Sequence, residues 1–164
     1  MRKTILPSDE GYRAAVEDLW NHWAVQSMED YCQHGTTSCL RHCVRVSYLS
    51  YRYCLDRGLD ARAVARGGLL HDLFLYDWHT YRRKKGERLH GFEHPRKALR
   101  NALSLFDLTP VEEDIILHHM WPLTLTMPAT PEARVVMMFD KYVSLLETFR
   151  LPVSARRGAA CVSL

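Results

Sequence analysis

The chain has no uninterrupted apolar run of the ~18 residues that a membrane-spanning helix requires. Its first ten residues, MRKTILPSDE, turn polar after two apolar positions, so they lack the apolar core of a secretory signal peptide. The lack of both features predicts a cytoplasmic protein with no membrane partner.

Strong charge of one sign is also missing, because the formal net charge is only +3. Nucleic-acid binding usually comes with denser basic clusters, so we do not expect a nucleic-acid partner. The five cysteines are odd in number and include no Cys-x-x-Cys pair. This pattern argues against a disulfide framework and a cysteine-ligated zinc site. Cys39 and Cys43, one helical turn apart, are predicted to be small buried thiols.

Strand-like alternation longer than a few residues is missing as well, whereas helical periodicity recurs along the chain. A length of 164 residues with 47% apolar residues suits one globular domain. Helices are predicted over 8–31, 38–57, 60–72, from 94 onward, 109–121 and 130–149. We therefore expect an all-α fold of five to seven helices around one core in residues 1–150, followed by a mobile tail over 151–164.

Short sequence signals mark several helix ends. The predicted N-caps, all small polar residues, are Ser8, Asp60, Thr109 and Thr130. Gly58 suits the left-handed residue that follows the second helix. His94-Pro95 predicts a helix start with proline at the first helical position. The stretches 33–37 and 76–93 are predicted to be irregular connections.

Four polar residues stand where the helical pattern predicts an apolar core, and histidine is unusually frequent, with nine copies. The four residues are His42, His71, Asp72 and Asp140. A buried carboxylate is costly unless it is paired or bound to a cation. Imidazole and carboxylate together suit a divalent first-row metal. A shared metal ion is the simplest common cause for all four positions.

The order of these residues, a histidine, an adjacent His-Asp pair and then an aspartate, resembles the pattern that names the HD superfamily of metal-dependent phosphohydrolases. The resemblance covers roughly residues 30 to 147. It implies a compact, all-helical HD-domain-like bundle that holds one or two metals through His42, His71, Asp72 and Asp140.

Two further features resemble the binuclear HD-GYP phosphodiesterase branch. His94-Pro95 with Ala98 and Leu99 is similar to its His-Pro-x-x-Gly-x-x-Leu helix start, with Ala98 in the usual glycine position. His118-His119 is similar to the histidine position that follows. The resemblance implies a second metal, extra histidine ligands and a bridging role for the aspartate of the His-Asp pair.

His119 is favoured over His118 as the ligand. It lies three residues after Ile116 and four after Ile115, so it shares their predicted inward face. His118 lies three residues after Ile115 and stays the alternative.

The resemblance implies that metal-activated water hydrolyses a phosphomonoester or phosphodiester of a small molecule, nucleotides included. The expected cofactor is two divalent ions of manganese, iron, cobalt or similar kind, with a single ion as the alternative. The predicted catalytic residues are Asp72, Asp77 as a general acid, and Lys141. The predicted substrate-binding residues are Arg45, Arg82 and Lys84.

Departures from the family pattern keep other functions open. Leu73 and Phe74 follow the His-Asp pair where many relatives have a small residue and a lysine, and the Gly-Tyr-Pro segment that accompanies cyclic-dinucleotide hydrolysis is missing. A di-iron oxygenase related to myo-inositol oxygenase, and a non-catalytic metal- or nucleotide-binding module, are the alternatives. The sequence does not name the substrate and leaves self-association open.

Overall fold

The computed structural model describes residues 5–34, 37–77, 80, 82, 86, 89–151, 154–157 and 160–163. Its helices are α1 (Glu10–Ala15), α2 (Glu17–Trp20), α3 (Trp23–Ser27), α4 (Cys39–Leu55), α5 (Ala61–Leu70), α6 (His90–Leu105), α7 (Pro110–His118) and α8 (Pro131–Thr148). Its strands are β1 (Cys32–His34), β2 (Thr37–Ser38), β3 (Ser154–Arg157) and β4 (Ala160–Ser163). The protein is a mostly helical bundle, which confirms the predicted fold class.

The long helix predicted over 8–31 is corrected to three short helices and a 3-10 turn at Met28–Asp30. His22 adopts an extended backbone, and its Nδ1 atom accepts the N–H of Ala24 to begin α3. Val16 and Val25 are both fully buried. Nine residues apart on a straight helix, they would lie about half a turn apart and face opposite sides. The breaks let both face the core.

Helix α4 forms the centre of the bundle and packs against α5 and α8. Gly68 brings α5 close to α4, because a Cβ atom added there would lie 2.9 Å from the Cα atom of Ser47. Gly67 likewise brings α5 close to α7, because a Cβ atom added there would lie 2.9 Å from side-chain atoms of Ile115. The two glycines therefore fix the end of α5, where His71 and Asp72 follow.

Most of the predicted helix ends are confirmed. The side chains of Asp60 and Thr130 accept backbone N–H groups of the first turn, and Thr109 with Glu112 forms the full capping box. Gly58 has a φ of 66°. The predicted cap Ser8 is corrected to Asp9, whose carboxylate accepts the N–H of Tyr12.

Helix α6 begins at His90, four residues before the predicted start at His94. Pro95 therefore lies inside the helix, where its ring nitrogen cannot donate to the carbonyl of Gly91. The connection predicted over 33–37 is corrected in part, because residues 33–34 belong to β1 and residue 37 to β2, which pair antiparallel. The described parts of the C-terminal segment pair as antiparallel β3 and β4, whereas the mobility predicted for 151–164 stays a prediction.

Cys39 and Cys43 are fully buried, as predicted. No helix in the described part of the chain combines the length and apolar character needed to cross a membrane.

Candidate metal centre

Six histidine and aspartate side chains from five regions of the bundle meet at one place. They come from α4, the turn after α5, α6, the turn after α7, and α8, and they are His42, His71, Asp72, His94, His119 and Asp140. Each is at most 7% exposed. The six predicted ligands are therefore brought together in the core.

The first half of the cluster contains His42, His71 and Asp140, whose ligand atoms all lie within 4.8 Å of one another. The Nε2 atom of His42 lies 3.0 Å from Oδ1 of Asp140. The Nε2 atom of His71 lies 3.7 Å from the same oxygen. Two imidazoles and one carboxylate therefore face a common point.

The second half is centred on the other carboxylate. Oδ1 of Asp72 lies 3.2 Å from Nε2 of His94 and 3.6 Å from Nε2 of His119. Oδ2 of Asp72 faces the first half and lies 3.4 Å from Nε2 of His71. Asp72 thus presents one oxygen to each half of the cluster.

The four histidines share a second feature, which is that an acceptor holds the Nδ1 atom of each ring. The acceptors are Oε2 of Glu147 for His42 and the carbonyl oxygens of Gly68, His90 and Ile116 for His71, His94 and His119. An Nδ1 atom that donates to an acceptor carries the proton of a neutral imidazole. In the neutral form that a metal would bind, each Nε2 atom presents a lone pair toward the cluster.

These lone pairs converge without donors to satisfy them. Nε2 of His94 and Nε2 of His119 face each other at 2.8 Å. Nε2 of His71 and Oδ1 of Asp72 are buried and have no hydrogen-bond partner among the described residues. Buried polar groups are normally satisfied, so a cluster of acceptors implies a missing positive charge. A divalent cation fits this donor set of imidazole nitrogens and carboxylate oxygens.

The electrostatics of the cluster show which ligands must lose a proton before a metal binds. Burial by itself would lower the pKa of His42, but its hydrogen bonds to Asp140 and Glu147 outweigh burial and raise the pKa well above its usual range. Burial and the nearby His71 and His94 lower the pKa of His119 to about 3. Because a metal must displace the proton from a ligand such as His42, metal uptake should weaken as the pH falls.

Two residues missed by the sequence analysis contact these ligands. Glu147 in α8 accepts from His42, and its Oε1 atom pairs with Arg45 at 2.9 Å. It lies seven residues after Asp140, on the same face of α8, and this spacing was the available signal. Gln33 in β1 donates from Nε2 to Oδ2 of Asp72. Nothing in the sequence around Gln33 indicated this contact.

Two thiols lie behind the cluster. Sγ of Cys39 lies 3.5 Å from the carbonyl oxygen of Asp72, and ligand atoms of Cys39, Cys43 and Asp72 lie within 4.8 Å of one another. Burial raises the pKa of Cys43 well above its usual range. A neutral thiol is a poor metal ligand, so the imidazole and carboxylate set is the better site.

A cavity of about 710 Å³ opens beside the cluster. The polar residues that line it are Asp72, His94, His119 and Asp140 together with Gln33, His90, Lys141, Ser144 and Thr148. The apolar residues that line it are Leu89, Met120, Pro122, Leu123 and Leu145. A small molecule in this cavity would contact the predicted metal ligands directly.

The other predicted site residues lie in different places. Lys141 lines the cavity and donates from Nζ to the carbonyl of His119 at 2.9 Å. Arg45 is held on Glu147, on the side of His42 away from the Asp140 contact. Asp77 is partly exposed and is not among the described residues around the cavity. His118, the alternative ligand, hydrogen-bonds through Nδ1 to Asp114 at 2.6 Å.

Two of these predictions fall in the connection between α5 and α6. Arg82 is exposed, and Lys84 lies outside the described residues. The substrate-binding role assigned to both therefore stays a prediction.

Comparisons with known proteins agree with this geometry. The family model described as HD domain matches residues 39–145, which include all six clustered ligands. Searches of curated proteins and of solved structures gave no match.

Proposed function

Because the chain belongs to the HD-domain family, whose members are typically phosphohydrolases, we propose that it hydrolyses a phosphomonoester or phosphodiester of a small molecule. The observation that carries the proposal is the convergence of four Nε2 lone pairs and two carboxylates at the base of an open cavity. A metal ion bound at such a site could act as a Lewis acid on a substrate in the cavity.

The proposed centre holds two divalent ions. His42, His71 and Asp140 would hold one ion, His94 and His119 would hold the other, and Asp72 would be shared. Bound metal would supply hydroxide from water near neutral pH and neutralise charge on a phosphoryl group. Manganese, iron and cobalt all accept this mixture of nitrogen and oxygen ligands.

The protein's own residues prepare the site for that chemistry. Burial alone would raise the pKa of Asp72, but its interactions with His71, His94 and His119 outweigh burial and hold that pKa below the usual range, so the carboxylate is available as a ligand. The backbone carbonyls on His71, His94 and His119 fix these rings so that Nε2 faces inward. Lys141 stands at the rim of the cavity, where its ammonium group would attract a substrate phosphate. Asp77 is not among the described residues that line the cavity, so its predicted role as general acid stays a prediction.

Metal analysis and a phosphatase screen on one sample test the proposal. Protein purified without chelators should contain about two equivalents of divalent metal if the ligands act as proposed. It should also release phosphate from some phosphate esters, and Asp72→Ala should lose most of both properties. A folded protein that takes up no metal would overturn the proposal. Bound iron with dioxygen-dependent turnover and no phosphate release would favour the oxygenase.

A further inference from the structure

Five apolar residues that line the cavity come from three separate parts of the chain. Leu89 precedes α6, while Met120, Pro122 and Leu123 follow α7, and Leu145 lies in α8. We call these five residues the apolar wall. They line the same cavity as Asp72 and Asp140, so one molecule of suitable length would contact both the wall and the metal ligands.

The leucines of the apolar wall are unusually accessible. Leu89, Leu123 and Leu145 are 58%, 45% and 56% exposed. Single exposed leucines are ordinary on protein surfaces. Three that converge on a cavity beside a cluster of ligands have the composition of a small-molecule site, in which apolar walls bind the body and a few polar groups fix its orientation.

The described residues that line the cavity include few positive charges. Among the described residues that line it, Lys141 is the one lysine or arginine. Recognition of a polyphosphate normally uses several charge-assisted hydrogen bonds from arginine or lysine. A single phosphoryl group, by contrast, needs only the metal centre and Lys141.

Gly91 sets the width of the cavity at the apolar wall. A Cβ atom added to Gly91 would lie 2.8 Å from Cδ2 of Leu123 and 3.9 Å from Cε of Met120. Leu123 therefore packs directly on the first turn of α6. A larger residue at position 91 would displace Leu123 and reshape the space beside the wall.

From these observations we infer that the substrate is a molecule with one phosphoryl group at the metal centre and an apolar body on the apolar wall. This inference rests on the proposed function, because it places the phosphoryl group at the same ligands. On the described lining residues, such a molecule should be preferred over sugar phosphates and nucleoside polyphosphates. An alkyl, isoprenoid or arylalkyl monoester has the required chemistry.

Binding of n-alkylphosphonates from ethyl to octyl, measured by calorimetry with and without bound metal, separates the two parts of the inference. With an apolar body on the wall, Kd should fall about two- to four-fold for each added methylene. The metal should strengthen binding of every phosphonate by a similar factor. Hydrolysis of the matching alkyl phosphates should show the same trend in KM, and glucose 6-phosphate should be a poor substrate.

Three variants locate the apolar contact. Leu123→Asn and Leu145→Asn should reduce the gain in phosphonate affinity to below about two-fold for each added methylene, while leaving metal content unchanged. Leu125→Asn is the matched control, because Leu125 is 95% exposed and is not among the residues that line the cavity. Gly91→Ala should weaken octylphosphonate binding more than ethylphosphonate binding.

The possible outcomes distinguish this inference from the proposed function. A Kd that does not change with chain length in metal-loaded protein would overturn the inference and leave the phosphohydrolase proposal intact. An equal loss in Leu125→Asn and Leu123→Asn would overturn it too. Protein that shows the chain-length gain but no effect of metal would support the apolar wall and contradict the metal-dependent function.

Discussion

The Nδ1 atom of His42 donates a hydrogen bond to Oε2 of Glu147 at 2.8 Å across the core between α4 and α8. The same carboxylate pairs with Arg45 through Oε1, so both of its oxygens are held. A carboxylate behind a ligating histidine fixes the ring and increases the basicity of the other nitrogen. Glu147 would therefore orient His42 and make its Nε2 atom a better ligand in the proposed metal centre.

Replacement of this carboxylate should weaken metal binding. We expect Glu147→Gln to lower metal affinity about tenfold and Glu147→Ala up to about 100-fold, in the range known for partners of metal-bound histidines. Competition with a chelator measures the change. Glu132→Gln is the control, because Glu132 is also a buried glutamate of α8 but accepts from the backbone of Asp60. Equal affinities in Glu147→Gln and Glu132→Gln would contradict this role.

The adjacent residues His118 and His119 provide a paired test of the ligand set. His119→Ala should remove about one metal equivalent, because its Nε2 atom faces Asp72 in the cluster. His118→Ala should keep the full metal content, because its ring bonds to Asp114 outside the cluster. Elemental analysis of both variants, with circular dichroism to check folding, gives the result. Loss of metal from His118→Ala alone would reverse the assignment.

Gly68 tests how α5 positions the His-Asp pair. Alanine is normally favoured over glycine inside a helix by about 1 kcal/mol. Here the added methyl group would lie 2.9 Å from Cα of Ser47, which is backbone and cannot rotate away. We therefore expect Gly68→Ala to destabilise the protein by about 1–3 kcal/mol in urea unfolding, as overpacking usually does. A stabilised variant would show that α4 and α5 are less closely packed.

Asp114 should make the folding stability of the protein depend on pH in the acidic range. Burial alone would raise its pKa, but the backbone N–H of Thr130, the ring of His118 and the Thr130 hydroxyl outweigh burial and lower it. A carboxyl group whose pKa is lowered on folding stabilises the protein at pH values above the pKa of that group in the unfolded chain, which is near 3.8. That stabilisation disappears as the pH falls through the lower folded pKa.

Asp114→Asn should accordingly unfold at a lower urea concentration than the wild type at pH 7, and the difference should shrink toward pH 2–3. Asp56→Asn, at an exposed position after α4, should show no such difference. If the difference in unfolding urea concentration between wild type and Asp114→Asn stays constant with pH, the charge of Asp114 does not contribute to stability as proposed.

The residues that the sequence predicts best are those whose pattern is local. Asp60, Thr109 and Thr130 are correct N-caps because a cap needs only its own first turn. His42, His71, Asp72 and Asp140 stood out because each interrupts an apolar helical face. These four residues then lie close together because the helical faces that carry them pack into the same core.

The parts that the sequence did not predict depend on tertiary contacts. The break at His22 serves to bury Val16 and Val25 together, and helical periodicity cannot show this requirement. Helix α6 begins at His90 although Pro95 is the stronger local start signal, so tertiary packing outweighs one lost backbone hydrogen bond. Gln33 contacts Asp72 across 39 positions of the chain, and no local pattern records such a pair.

Gln33 is nevertheless positioned as an important partner of the shared ligand. The ionised carboxylate of Asp72 accepts hydrogen bonds only, so the amide nitrogen of Gln33 must face it. The Oε1 atom then points away from Asp72, where it is buried without a partner in a side chain that lines the cavity. We therefore propose that Gln33 positions Asp72 and that its Oε1 atom, which has no partner in the described part of the chain, accepts from substrate or water.

Gln33→Leu retains the approximate size of the side chain and removes both polar atoms. We expect metal affinity to fall about tenfold, because Asp72 loses the hydrogen bond that orients it, while the melting temperature changes little. A lower kcat at saturating metal would add a contribution of Oε1 to the reaction. Gln26→Leu is the control, since the Gln26 amide bonds to the carbonyl of Trp20. Wild-type metal affinity and kcat in Gln33→Leu would show that this contact only packs β1 against the core.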